Sequence, residues 1–222
     1  STYVNRIFFQ GLEPKNLLFG KYRILRCLHA SDIAGVYLCQ SPEYERVVLK
    51  ISLAKHRADE QGQRILEREI TLAKRVSHKN VLSPIECYED DEFFAFAMEY
   101  LPGGTLDDLI VEDVGVRPMQ LSIENLRGIA SGLTAIHKEG IVHGDIKPHN
   151  ILLDNRLQPR IADFGLSCHC AEYPIPFEDC IVGTLNYLAP EYILNGETKP
   201  SGDLYSFGVL ACEVFTGRNP SG

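Results

Sequence analysis

A change in hydrophobic pattern at the turn-rich run LPGG, residues 101–104, most limits what this chain can form. Before this run, short segments rich in β-branched and aromatic residues are typical of strands. Beyond it, apolar residues recur at three- and four-residue steps, which is typical of helices. We therefore expect a strand-rich half and then a helical half, with LPGG as the hinge. The predicted strands cover 22–28, 35–40, 45–52, 82–88 and 93–100.

Three helices and two short strands complete the expected order. One helix is predicted over 59–76, where Leu66, Ile70 and Ala73 fall on one face. Ser122 is predicted to be the N-cap of a second helix that runs to about residue 138. A third helix is predicted from Gly202 to Thr216, after the short strands ILLD and RIAD.

Composition excludes several classes of protein. The formal charge of −8 and the pI of about 5.4 argue against a general nucleic-acid or membrane-surface binder. No apolar run reaches the ~18 residues of a spanning helix, and the first residues do not resemble a signal peptide. The seven scattered cysteines favour reduced thiols and a cytoplasmic protein over a disulfide framework. A metal cluster at Cys168, His169, Cys170 and Cys180 is the alternative, but its spacing is unusual for zinc.

The segment HGDIKPHN, residues 143–150, places three chemically active side chains between two apolar runs. Asp145, Lys147 and Asn150 lie within six positions, and Asp163 follows in the triplet DFG, 13 residues after Asn150. Lys50 lies in the middle of an otherwise apolar predicted strand. A satisfied polar turn and ordinary surface charges are the bland interpretations of these residues.

Lys50, Glu69, Asp145, Asn150 and Asp163, in this order, resemble the motif residues of the eukaryotic-type protein serine/threonine kinases, from about residue 22 to the chain end. VVLK is similar to the strand motif VAIK of that family. GTLNYLAPE, residues 183–191, resembles the segment that receives the substrate peptide. Kinases of small metabolites share the HGD loop but not this segment. The wording HGDIKP resembles bacterial members.

For the catalytic loop, the resemblance implies phosphoryl transfer by positioning and charge neutralisation. Asp145 would accept the proton of the attacking hydroxyl, and Lys147 would lie against the γ-phosphate. Asn150 and Asp163 would bind Mg²⁺ through oxygen atoms, the ligands that this ion prefers.

The resemblance also implies an ATP site. Lys50 would hold the α- and β-phosphates, and Glu69 would orient it. Met98 would line the back of the pocket, and the backbone of Glu99 and Leu101 would meet the edge of adenine. Each apolar position is also explained as ordinary core. The other apolar positions assigned to ATP are Leu28, Val36, Val48 and Leu152.

The resemblance also implies which residues select the acceptor and which support the catalytic loop. Lys147 with Thr184 indicates serine or threonine acceptors, and Glu191 closes the substrate segment. Asp203 would brace the backbone of the catalytic loop.

The implied fold is α+β and two-lobed. A five-stranded antiparallel sheet with one helix forms the N-lobe, residues 20–101, and a mainly helical C-lobe covers 102–222, incomplete at its end. Residues 1–19 are expected to be an extension in which Ile7, Phe8 and Phe9 would pack on a lobe. Helix 203–216 is expected to expose Leu210 and Val214, so that a partner or further sequence covers them.

Two departures from the family pattern bear on activity. His29, Ser31 and Ala34 occupy the glycine positions of the phosphate-covering loop, which is expected to weaken ATP binding. Gly144 replaces the arginine that binds a phosphorylated residue, and Cys180 occupies the usual phosphoacceptor position. We expect ATP-dependent phosphorylation of proteins that does not require phosphorylation of the activation segment, residues 163–191. A nucleotide-binding pseudokinase or scaffold, and less so a small-molecule kinase, are the alternatives.

Overall fold

The structure, a computed structural model, describes residues 17–30, 34–52, 60–89, 94–112, 118–169, 182–196 and 199–221. The chain divides into two compact units. The first contains the described residues up to Ile70 together with Pro84–Tyr100, and the second contains Thr71–Ser83 and the described residues from Leu101 onward.

The first unit is a five-stranded antiparallel sheet with strand order β1-β2-β3-β5-β4, which confirms the predicted sheet. Val36 lies opposite Lys50 between β2 and β3, and Val48 lies opposite Met98 between β3 and β5. Residues 31–33, between the first two strands, lie outside the described part. The strands are β1 (Arg23–Ala30), β2 (Ala34–Gln40), β3 (Val47–Ser52), β4 (Glu86–Glu89) and β5 (Phe94–Glu99).

Side-chain alternation gives the sheet two different faces. One face carries a buried cluster that includes Tyr37, Leu49 and Ala97. The other face carries Phe96, which packs against Ile70 of helix α1 (Glu60–Arg75). Lys50 therefore lies on the face that the helix covers, because it is directly opposite Phe96 in the strand register.

The second unit is mainly helical, as predicted. Two short antiparallel ladders pair β6 (Ile141–Val142) with β9 (Cys168–His169), and β7 (Ile151–Leu153) with β8 (Pro159–Ile161). Short 3-10 helices cover Pro148–Asn150 and Val182–Tyr187. The helices are α2 (Leu106–Glu112), α3 (Met119–Lys138), α4 (Pro190–Asn195) and α5 (Pro200–Thr216).

The prediction that Leu210 and Val214 are exposed on the last helix is wrong. Their side chains are 0% and 6% exposed, in one apolar cluster with Ile129 and Ile136 of α3. The register of α5 therefore turns this pair into the core. Other apolar residues of α5 are exposed instead, namely Leu204, Tyr205 and Phe215.

The predicted N-cap of the second helix is also wrong. Helix α3 begins at Met119, and Ser122 is a buried residue inside the helix. Pro118 occupies the cap position with extended backbone angles, and its carbonyl accepts the N–H groups of Leu121 and Ser122. Proline presets the chain for this entry because its φ is fixed near the helical value.

Two glycines on α3 allow the segment 80–82 to lie directly against the helix. A Cβ atom on Gly132 would lie 2.7 Å from the carbonyl oxygen of Asn80, and one on Gly128 would lie 2.6 Å from Pro159. The same segment runs beside β8, because the N–H of Ile161 donates to the carbonyl of Asn80. The close packing on α3 therefore fixes the position of β8.

Several predictions concern residues outside the described part, namely Ile7, Phe8, Phe9, Ser31, Cys170 and Cys180. No disulfide joins any of the five cysteines within the described part. Among the described helices, none has the length and apolar character needed to cross a bilayer.

Candidate active site

The loop that contains Asp145 is held by a buried carboxylate on α5. Asp203 is 1% exposed, and its Oδ2 and Oδ1 accept the backbone N–H groups of His143 and Gly144, both at 2.8 Å. The Nε2 atom of His137, at the end of α3, lies 2.8 Å from Oδ2. A buried carboxylate is stable only when donors replace the water it has lost. Asp203 thus holds the start of the loop through two backbone N–H groups.

Asp145 has one occupied and one unoccupied carboxylate oxygen. Its Oδ2 lies 2.7 Å from Nδ2 of Asn150 and 2.8 Å from the ammonium group of Lys147. Its Oδ1 is buried and has no hydrogen-bond partner among the described residues. An oxygen of this kind is a strong acceptor that lacks a donor. The structure therefore brings three of the predicted residues together around one carboxylate.

Asn150 connects this carboxylate to the next strands. Its side-chain amide also donates to the carbonyl of Asp145 at 2.8 Å. Its own backbone carbonyl accepts the N–H of Ala162, the residue before Asp163, at 2.9 Å. Asp163 has a φ of 66°, which is unusual for a residue with a side chain. It is exposed, and its Oδ1 lies 3.3 Å from the N–H of Gly165.

His143 forms a buried link between the loop and the DFG triplet. Its Nδ1 accepts the N–H of Asp145 at 3.2 Å, and its Nε2–H donates to the carbonyl of Ala162 at 3.1 Å. The ring also meets the ring of Phe164 edge-on, with centroids 5.1 Å apart. The neutral imidazole, with its proton on Nε2, satisfies both contacts.

In the first unit, Lys50 and Glu69 form an ion pair. The Nζ atom lies 2.8 Å from Oε1 and 2.7 Å from Oε2 of Glu69. Both side chains are largely buried, at 17% and 6% exposed. Val36 and Val48 lie in β2 and β3 on the same face as Lys50, because their register positions share its side-chain parity.

The remaining predicted nucleotide contacts lie at different levels of exposure. Leu28 is 40% exposed, in an irregular part of β1. Glu99 is exposed in β5, opposite Val47. In the second unit, Leu101 is buried and Leu152 is partly exposed in β7. Their contacts with a nucleotide stay a prediction.

Comparison with known families shows which family this chain belongs to. The family model described as "Protein kinase domain" matches residues 22–222. The chain belongs to the protein kinase domain family. The resemblance that its motifs indicated is therefore confirmed.

Named relatives of this kinase domain are serine/threonine-protein kinases. Serine/threonine-protein kinase PrkC of Bacillus subtilis is 32% identical over 90% of this chain and 31% of its own length. Serine/threonine-protein kinase PknL of Mycobacterium bovis is 33% identical over 92% of the chain and 51% of its length. A probable LRR receptor-like serine/threonine-protein kinase of Arabidopsis thaliana is 37% identical over 71% of the chain and 16% of its length. The chain thus spans about a third to a half of these bacterial relatives.

The segment 183–191, which is predicted to receive the substrate peptide, is described in its backbone and, from Leu185 onward, in its side chains. The backbone of Thr184 lies in the 3-10 helix Val182–Tyr187, and its side chain lies outside the described part. Glu191 lies in the first turn of α4, where its Oε1 is 3.4 Å from the hydroxyl of Ser201.

Two residues that support the kinase loop were missed from the sequence. His137 contacts Asp203 across 66 residues, and Ser167 contacts His143 across 24. Neither has a motif that separates it from an ordinary histidine at a helix end or an ordinary buried serine. Only the packing of distant segments brings them to the loop.

Proposed function

We propose that this kinase domain transfers the γ-phosphoryl group of ATP to serine or threonine hydroxyls of protein substrates. The observation that carries the proposal is the carboxylate of Asp145, whose Oδ1 is buried without a partner among the described residues. A hydroxyl group is the donor that this oxygen lacks. The names of the relatives, all serine/threonine-protein kinases, support the same activity.

The residues around Asp145 have distinct tasks in this proposal. Oδ1 takes the hydroxyl proton, while Asn150 and Lys147 hold Oδ2 and fix the direction of the carboxylate. Phosphoryl transfer requires little covalent work from a protein beyond such positioning and charge neutralisation. The cation of Lys147 would also stabilise negative charge beside the acceptor.

The donor set of the loop fits Mg²⁺. Among the described residues, no group of three or more His, Cys, Asp or Glu side chains forms a metal site. Mg²⁺ does not need one, because it binds one or two protein ligands and completes its shell with phosphate and water. The amide oxygen of Asn150 and the exposed carboxylate of Asp163 would hold the ion. Bound there, it would neutralise phosphate charge.

Lys50 would hold the α- and β-phosphates of ATP in this proposal. Its pair with Glu69 holds the ammonium group in a fixed direction. Five apolar residues would hold adenine, together with the backbone of Glu99 and Leu101. These are Leu28, Val36, Val48, Met98 and Leu152.

The acceptor class is proposed on two further grounds. Lys147 lies beside Asp145, as the proposed serine/threonine specificity requires. The segment GTLNYLAPE, which includes Thr184, favours protein over metabolite substrates. The absence of disulfides among the five described cysteines fits a reducing compartment such as the cytosol.

The test compares Asp145→Asn with Asp154→Asn, using labelled ATP, Mg²⁺ and a generic protein substrate. Asp154 is a matched control in the same unit, because its carboxylate accepts only two N–H groups of the turn between β7 and β8. We expect Asp145→Asn to lower labelled protein by at least about 100-fold while ATP binding persists, and Asp154→Asn to stay near wild type.

Three other outcomes would contradict the proposal. Full activity in Asp145→Asn would remove Asp145 from the reaction. Nucleotide binding by the wild type without transfer would favour the pseudokinase. Label on a small hydroxylated metabolite, with none on protein, would favour a small-molecule kinase.

A further inference from the structure

A buried hydroxyl ties the segment after the DFG triplet to the start of the catalytic loop. The Oγ of Ser167 donates to the carbonyl of His143 at 2.9 Å. Ser167 is 0% exposed, and its own N–H donates to the carbonyl of Phe164 at 3.0 Å. The hydroxyl is therefore fully enclosed and directed to one acceptor.

The carbonyl that Ser167 contacts belongs to the peptide unit between His143 and Gly144. The N–H of the same unit donates to Oδ1 of Asp203 at 2.8 Å. A peptide unit is planar, so its C=O and N–H turn together. Hydrogen bonds at both ends, one from Ser167 and one to Asp203, therefore fix the rotation of this plane.

This plane needs two restraints because of the residue that follows it. Gly144 has a φ of 79°, a region that glycine enters and leaves without steric cost. Rotation there would reorient Asp145, which is the next residue. A Cβ atom on Gly144 would lie 2.9 Å from the carbonyl oxygen of Leu166, so the backbones of the two segments are in direct contact.

We propose that Ser167 is a positioning residue for phosphoryl transfer. With Asp203 it clamps the peptide plane before Asp145 and so sets the direction of the carboxylate that receives the hydroxyl proton. This inference rests on the proposed function. It assigns to Ser167 a task in the rate of transfer and none in nucleotide binding.

The experiment measures kcat and the KM for ATP of Ser167→Ala beside Ser83→Ala. Ser83 is the matched control, because its hydroxyl also donates to a backbone carbonyl in the second unit, that of Val76 at 2.7 Å. We expect Ser167→Ala to lower kcat about fivefold, the effect of one lost hydrogen bond, with KM for ATP unchanged. Ser83→Ala should leave both constants unchanged. Ser167→Cys, with a weak S–H donor, should give an intermediate kcat.

Several results would overturn the inference. A wild-type kcat in Ser167→Ala would do so, as would a fall that only follows the folded fraction and occurs equally in Ser83→Ala. If Ser167→Ala does not fold, Ser167→Cys decides, since a wild-type kcat there overturns the role and a lowered one supports it. An inactive wild type would instead reject the proposed function, so the two failures are distinguishable.

Discussion

Both carboxylate oxygens of Glu69 lie within 2.8 Å of the ammonium nitrogen of Lys50. The pair joins a strand to a helix, and both side chains are largely withdrawn from solvent. Such a pair is more sensitive to the loss of one partner than an exposed one, because the remaining charge is left without compensation.

Glu69→Gln is expected to reduce kcat/KM for ATP about tenfold, because one charge-assisted hydrogen bond to Lys50 is lost. Steady-state kinetics would measure it beside Glu124→Gln, a change on the exposed surface of α3. In a Lys50→Met background the Glu69 change should have no further effect. Additive losses in the double variant would show that the two residues act independently.

Asp203→Asn is expected to lower the free energy of unfolding by about 2 kcal/mol, because an amide cannot accept every hydrogen bond that the buried carboxylate accepts. Its NH₂ group would face another N–H donor. Urea denaturation would measure the loss, and kcat should fall in the same variant. Unchanged stability would mean that the loop does not depend on this carboxylate.

Gly144→Ala and Gly208→Ala are expected to have opposite effects on stability. At Gly144 the positive φ and the nearby carbonyl of Leu166 should cost about 2 kcal/mol. At Gly208, inside α5, a Cβ atom meets nothing within 4 Å. Alanine there should stabilise the helix by up to about 1 kcal/mol. Thermal unfolding of both variants would measure the changes in stability. Changes of the same sign in both would contradict the conformational argument.

Complete dephosphorylation is expected to leave the rate of transfer unchanged. Gly144 has no side chain to bind a phosphate, and the hydroxyl of Ser167 is enclosed. The hydrogen bond from Ser167 to the carbonyl of His143 already holds the start of the activation segment to the catalytic loop. Treatment with a phosphatase, verified by mass spectrometry, followed by a kinase assay would test this. A collapse in rate would contradict it.

Asp108→Asn is expected to lower stability by about 0.5–1 kcal/mol near pH 7, a modest value because the side chain is exposed. Hydrogen bonds from the backbone N–H and the hydroxyl of Thr105 lower the pKa of Asp108 below its ordinary 3.8. The folded state thus favours the carboxylate. Its contribution is present above pH 3.8 and is lost as the pH falls through the lowered pKa.

Unfolding measured from pH 7 to pH 2 should therefore show the difference between wild type and Asp108→Asn shrinking below about pH 4. A difference that stays constant over this range would show that the contribution of Asp108 does not depend on its ionisation.

Local patterns predicted the elements, and the motif residues predicted the Lys50–Glu69 pair and the grouping of Lys147 and Asn150 around Asp145. The strand and helix that carry Lys50 and Glu69 follow from periods of two and about 3.6 residues. Periodicity does not report which side of a mostly apolar helix is covered, so the burial of Leu210 and Val214 was not predicted. Nor does it report contacts such as His137 with Asp203, which depend on how distant segments pack.

Gly128 and Gly132 connect the proposed transfer reaction to helix α3, which has no proposed contacts with nucleotide or acceptor. Asn80 lies against Gly132 and is hydrogen-bonded to Ile161, two residues before Asp163. A methyl group added at Gly132 would displace Asn80 and then Ile161, and this would shift the proposed metal ligand Asp163. A genetic screen for lost phosphotransfer should therefore recover inherited changes at positions 128 and 132, even where the variant protein still accumulates in the cell.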